Sequence, residues 1–217
     1  IKDARRLAEE VIDCGKFALV NYEKSLNTDE ANKDLLFSDE HIFSLRGQNV
    51  KSDAEGVHKQ ITGTDGNVQM ASGYQSILYL GDLEDYRLNW YKSFYIIKYT
   101  SDNSERFFPK MPMIRLSEMY LIAAEGWMED DPEHAAELLQ TLKQARTKSI
   151  VNKQTVTEEM ILLEMRKEFV GEGQLFYVYK RLNHDIIGNT SEDGVKASNS
   201  VFVLPLPEEE IEYGYRN

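Results

Sequence analysis

Three features of this chain predict a mainly α-helical fold of tetratricopeptide-like hairpins with long irregular loops and minor β structure. Apolar residues recur at three- and four-residue spacing through 116–127 and again through 135–145, separated by the break Asp130-Asp131-Pro132. Residues 46–85 instead carry Gly47, Gly56, Gly63, Gly66, Gly73 and Gly81 among Ser, Thr, Asn and Asp, a composition that favours loops. Only short apolar runs, such as 41–45, suit extended chain.

Taken in order, Ala4, Leu7, Ala8, Val11 and Ile12 mark one face of a helix over 2–14, and Gly15 stands where a helix-ending glycine belongs. Cys14, among these helical residues, reads as a small buried hydrophobe. The segment 41–45 (HIFSL) reads as an extended strand. The aromatic stretch 90–99 fits either an edge strand or a short helix. Pro109 and Pro112 punctuate the chain before the next helix.

In that helix Leu116, Met119, Tyr120, Ala123, Ala124 and Trp127 form the apolar face, with Trp127 expected in the interior. Asp131 as N-cap and Pro132 in the first turn start the following one, whose face is Ala135, Leu138, Leu139, Leu142 and Ala145. So short a connection forces the two to pack antiparallel, and the pairs Ala123-Ala124 and Ala135-Ala136 let their backbones approach closely. The strict 34-residue repeat pattern is not met. A third helix begins at Thr155 or Thr157, and Thr155 with Glu158 has capping-box spacing. Leu162, Met165 and Phe169 line it before Gly171 and Gly173 interrupt. The run 201–204, stopped by Pro205 and Pro207, reads as an extended tail docked on the helices. The expected organisation is one domain over 1–217: helix and turn at 1–22, a loop-rich insert at 23–112, and hairpins with a docked tail at 113–217.

Composition excludes several functions. At 217 residues and 41% hydrophobic content the chain can bury a sizeable core. Its net charge of −12 repels phosphate backbones and argues against nucleic-acid binding. A single cysteine forms no intrachain disulfide. No apolar run approaches the roughly 18 residues of a membrane span. His41, His58, His134 and His184 lack paired-ligand spacing, so no metal is expected, and no phosphate-loop, dinucleotide or nucleophile-elbow motif occurs. The carboxylates at 158–159 and 208–210 read as solvated turns. No catalytic residues and no cofactor are therefore expected. Glu164, Glu168 and Glu172 follow one another at four-residue spacing, so they share a helix face and need cations such as Arg115, Arg166 or Arg181 to answer them.

The segments IRLSEMYLIAAE (114–125) and EMRKEFVGEGQLFY (164–177), followed by LPLP (204–207) and Glu210-Ile211, resemble in order and spacing the C-terminal half of the SusD/RagB family. Those are cell-surface nutrient-binding lipoproteins of Bacteroidetes. The resemblance extends to 8–17, 40–45, 85–88 and 98–99. It implies a noncatalytic protein on the outer-membrane surface that binds a glycan and delivers it to a partner, a SusC-like TonB-dependent transporter. It also implies that the Arg-rich and Glu-Gly segments are structural framework. The family is about twice as long, and the chain starts at Ile1 inside a helical pattern. The expectation is thus a fragment or processed product whose N-terminal repeats and membrane lipid anchor lie outside this sequence, with Cys14 not that anchor. A peptide-binding member of the same family and a helical-repeat interaction scaffold without small-ligand binding are the rival readings.

A sugar site needs flat aromatic faces with amides or carboxylates beside them for the hydroxyls. Outside the periodic helices, Tyr74 with Gln75, and Trp90 with Asn89, supply both, and these four are the expected ligand-binding residues.

Overall fold

The computed structural model describes residues 1–21, 33–47, 74–80, 82–92, 95–99, 110–188, 194–203 and 205. The chain divides into two compact units, Ile1–Gly171 and Glu172–Asn217.

In the first unit, helix α1 (Lys2–Asp13) packs on α3 (Leu116–Trp127), and α3 packs in turn on α4 (Pro132–Gln144) and α5 (Glu158–Glu168). The α3–α4 hairpin forms as its sequence signals predict. The Asp131 carboxylate accepts from the His134 N–H at 3.1 Å, Pro132 fills the first turn, and all four hairpin alanines are buried. Thr157, rather than Thr155, caps α5 by accepting from the Met160 N–H at 3.3 Å. Leu162, Met165 and Phe169 are buried as expected.

Helix α1 departs from its predicted face. Ala8 is buried, but Leu7 is 51% exposed, and the buried polar residue is Arg5. The reason lies at Gly126, where a Cβ would come within 2.7 Å of the Arg5 Cβ. Without that atom the Arg5 stem lies against α3, and its guanidinium donates to the Gly126 carbonyl at 2.7 Å and stacks 3.7 Å above the Trp127 ring. Trp127 is consequently half-buried rather than interior. Its Nε1 donates to Glu9 Oε1 at 3.0 Å and its ring meets His134 edge-on. Cys14, expected to be buried, is exposed at the C-cap of α1, and Gly15 turns the chain beyond it at φ +66°.

Strand β1 (His41–Arg46) pairs antiparallel with β4 (Lys110–Arg115), Phe43 opposite Ile114 and Leu45 opposite Met111. Arg115, the last residue of β4, is also the extended N-cap of α3, so the strand delivers the chain straight into the hairpin. A short helix, α2 (Tyr74–Tyr79), packs on α5. Of the two readings of 90–99, the strand is the one observed, at 91–92 and 95–96. A 3-10 turn (Tyr86–Trp90), capped by the Asp85 carboxylate accepting from the Arg87 N–H, ends where β2 (Tyr91–Lys92) begins, and β2 pairs with β3 (Tyr95–Ile96). The segment expected to be loop-rich thus supplies an aromatic core: Leu78, Tyr79, Tyr86, Trp90 and Tyr91 close around Phe37 and Val170.

In the second unit, α6 (Leu175–Leu182) ends at Asn183 in the left-handed region, and Ile186 bridges Val195. Val201 and Phe202 are helical, and the chain becomes extended only at Val203. A one-turn helix, α7 (Asn199–Phe202), ends there and seats Phe202 against Phe176 at 5.8 Å. Residues 204, 206 and 207 of the predicted docked tail lie outside the described residues.

Candidate functional site

The strongest charge pattern of the sequence becomes a buried cluster. Glu168 is fully enclosed. Its Oε1 accepts from Arg87 Nη1 at 2.8 Å and Arg146 Nε at 2.6 Å, and its Oε2 accepts from Arg115 Nη1 at 3.0 Å. Arg146 reaches on to both oxygens of Glu40 at 2.7 and 2.8 Å. Arg87 grips Asp85 in the same two-pronged way, at 3.0 and 2.6 Å, and meets Glu164 Oε1 at 2.6 Å. Burial alone pushes the Glu168 carboxyl up, but Arg146, Arg87 and Arg115 together outweigh it and hold the group well below the ordinary carboxylate range. Glu164 shows the same balance, burial opposed by Arg87 and Lys167, with a net lowering.

Carboxylates so enclosed and neutralised cannot take up a proton near neutral pH or touch a solute. Their role is to join the first unit's elements. Of the cations proposed from sequence, Arg115 answers Glu168. Arg166 instead lies 5.7 Å from the Tyr74 ring centroid, and the contacts of Glu164 and Glu168 come otherwise from Arg87, Arg146 and Lys167. Arg87 and Arg146 were missed because neither lies near α5 in sequence. The signal that could have found them is the presence of two glutamates on an otherwise apolar helix face.

The four expected ligand residues meet different fates. Trp90 is fully enclosed, its ring 4.9 Å from that of Phe37 and covered by the Lys98 ammonium at 3.9 Å. A ring covered in this way has no face for a sugar, so the stacking role assigned to Trp90 is corrected to a core role. Asn89 is half-buried and donates from Nδ2 to the Tyr86 carbonyl at 2.8 Å, closing the 3-10 turn. Tyr74 and Gln75 open α2 and are both half-exposed, with Tyr74 resting on the edge of the aromatic core. The structure brings Tyr74 to the cluster that contains Trp90, and of the four expected residues Tyr74, Gln75 and Asn89 are each partly exposed. Among the described residues no group of three His, Cys, Asp or Glu side chains could hold a metal ion, and no helix is long and apolar enough to cross a membrane.

The SusD family model matches residues 39–211. The chain belongs to the SusD family. Solved structures agree: a SusD superfamily protein from Bacteroides thetaiotaomicron is 25% identical, with a TM-score of 0.71 over 98% of this chain and 55% of its own length. A candidate sugar-binding protein from Bacteroides vulgatus is 25% identical, with a TM-score of 0.70 over 97% of this chain and 53% of its own. A SusD-like carbohydrate-binding protein from Bacteroides vulgatus, 16% identical with a TM-score of 0.68 over 97% and 54%, shares the fold. Among curated proteins no relative matches. The mainly α-helical SusD-like fold expected from the sequence is the observed one, and the chain spans about half the length of these family structures.

Proposed function

We propose that this chain is part of a noncatalytic glycan-binding protein, held on the outer-membrane surface by a lipid anchor, that hands its sugar to a SusC-like TonB-dependent transporter. The observation that carries the reading is membership of the SusD family together with 25% identity, across nearly the whole chain, to a candidate sugar-binding protein. Tyr74 with Gln75 is the favoured contact: a half-exposed ring, backed by core and by Arg166, beside an amide that can bond to hydroxyls. Asn89 keeps a supporting place through its turn.

The peptide-binding alternative gains from one finding. Enclosure of Trp90 removes one of two expected stacking faces, and the net charge of −12 would suit a cationic peptide. Calorimetric titration of a polysaccharide and oligosaccharide panel beside a basic peptide library separates the two. The glycan reading expects a sugar ligand of micromolar to millimolar Kd, about −4 to −8 kcal/mol. Binding confined to peptides would replace it.

A further inference from the structure

We infer that α6 carries a second sugar platform, centred on Tyr177 and suited to a ring bearing a carboxylate. This rests on the glycan-binding reading above and adds a site and a ligand class to it. Tyr177 is 69% exposed, more than any other aromatic among the described side chains. It also has an aromatic neighbour. Phe176 meets it edge-on at 5.7 Å and 81°, and Phe176 is itself set edge-on against Phe202 at 5.8 Å. The Tyr177 and Val178 N–H groups both donate to the Gln174 carbonyl, fixing the first turn of α6. An exposed ring whose edge is met by a second aromatic offers a pyranose an open apolar face, which is what a stacking platform needs.

Charge supplies the ligand class. Residues three and four positions along a helix share a face, which places Lys180 and Arg181 beside Tyr177, and both are exposed. Lys196, the other described cation near this stretch, is held by Asp185 at 2.6 Å, whereas Lys180 has no carboxylate partner among the described residues. On a chain of net charge −12, an acidic glycan is repelled in general, and cations beside an open ring mark where one is accepted. The sugar's C–H face would lie on Tyr177 while its carboxylate reaches the Lys180 ammonium.

Affinity electrophoresis and calorimetry with oligogalacturonate and with a neutral oligoglucan, on the whole chain, test this. We expect the wild type to bind oligogalacturonate with a salt-sensitive affinity, and Tyr177→Ala to weaken it about tenfold with an unchanged Tm. Lys180→Gln should abolish most of the salt sensitivity and leave any binding of the neutral glucan intact. Unaltered oligogalacturonate affinity in Tyr177→Ala, unaltered salt sensitivity in Lys180→Gln, or a wild type that ignores oligogalacturonate would each overturn the platform. If the wild type also binds nothing across the broader polysaccharide panel, the glycan reading falls with it. A wild type that binds other glycans of that panel but not oligogalacturonate sinks this inference alone.

Discussion

Tyr74 and Trp90 are aromatic residues of the same loop-rich segment, yet they do opposite work. Trp90 sits between Phe37 and the Lys98 ammonium, so truncation to Ala leaves a large void and should destabilise the protein by about 3–5 kcal/mol. Tyr74 keeps a solvent-facing side at the start of α2. Replacing it with Ala should shift the melting temperature little while weakening sugar binding. Thermal melts and titrations on the two variants check both expectations together. A Trp90→Ala protein that melts like the wild type would remove Trp90 from the core, and full sugar affinity in Tyr74→Ala would remove that residue from the site.

Between elements, the docking of α1 on the hairpin is the joint most open to test. Glycine at 126 is needed because the Arg5 stem occupies the space of a side chain there. Gly126→Ala must push α1 away, moving the guanidinium off Trp127 and loosening the bond from Trp127 to Glu9. Overpacking of this kind typically destabilises by about 1–3 kcal/mol. Hydrogen exchange should show the loss concentrated in Lys2–Asp13, with the α3–α4 hairpin retained on its own caps and alanine contacts. Protection of α1 equal to that of the wild type would show that the close approach is not what seats the helix.

For the first unit as a whole, the Glu168 cluster is the common joint: it ties α5 to β4, to the 3-10 turn and to the end of α4. Glu168→Gln removes a buried charge while leaving three guanidiniums in place, and should lower stability by about 3–5 kcal/mol in chemical denaturation. An unchanged midpoint would show that the arginines find other partners. The same cluster sets the acid response. Glu168 and Glu164 titrate lower when folded than when unfolded, so their contribution is complete above the usual carboxylate value of 4.5 and is lost as pH falls through their lowered folded values. Asp34, pushed up by burial, acts in the opposite sense, opposing folding above its own raised value. Because the two glutamates are fully enclosed and heavily paired, the net expectation is a fall in melting temperature only at strongly acid pH. That acid limb should flatten in Glu168→Gln, and a limb equally steep in the variant would place its cause elsewhere.

What the sequence determined by itself is what local rules govern. The α3–α4 hairpin, the Asp131-Pro132 start, the Gly15 turn and the 41–45 strand all follow from spacing and capping within a few residues, and the motif order 114–207 pointed to the family. Tertiary structure decided which aromatic residues are covered and which cations answer which carboxylates. Trp90 and Tyr74 look alike in sequence because burial of an aromatic depends on what arrives from elsewhere, here Phe37 and Lys98. Arg87 meets Glu168 across 81 residues and Arg146 meets Glu40 across 106, separations over which helical periodicity carries no information. Cys14 and Leu7 show the same divide from the surface side: a 3.6-residue period identifies an apolar stripe, but only the position of a neighbouring helix determines how much of it is buried.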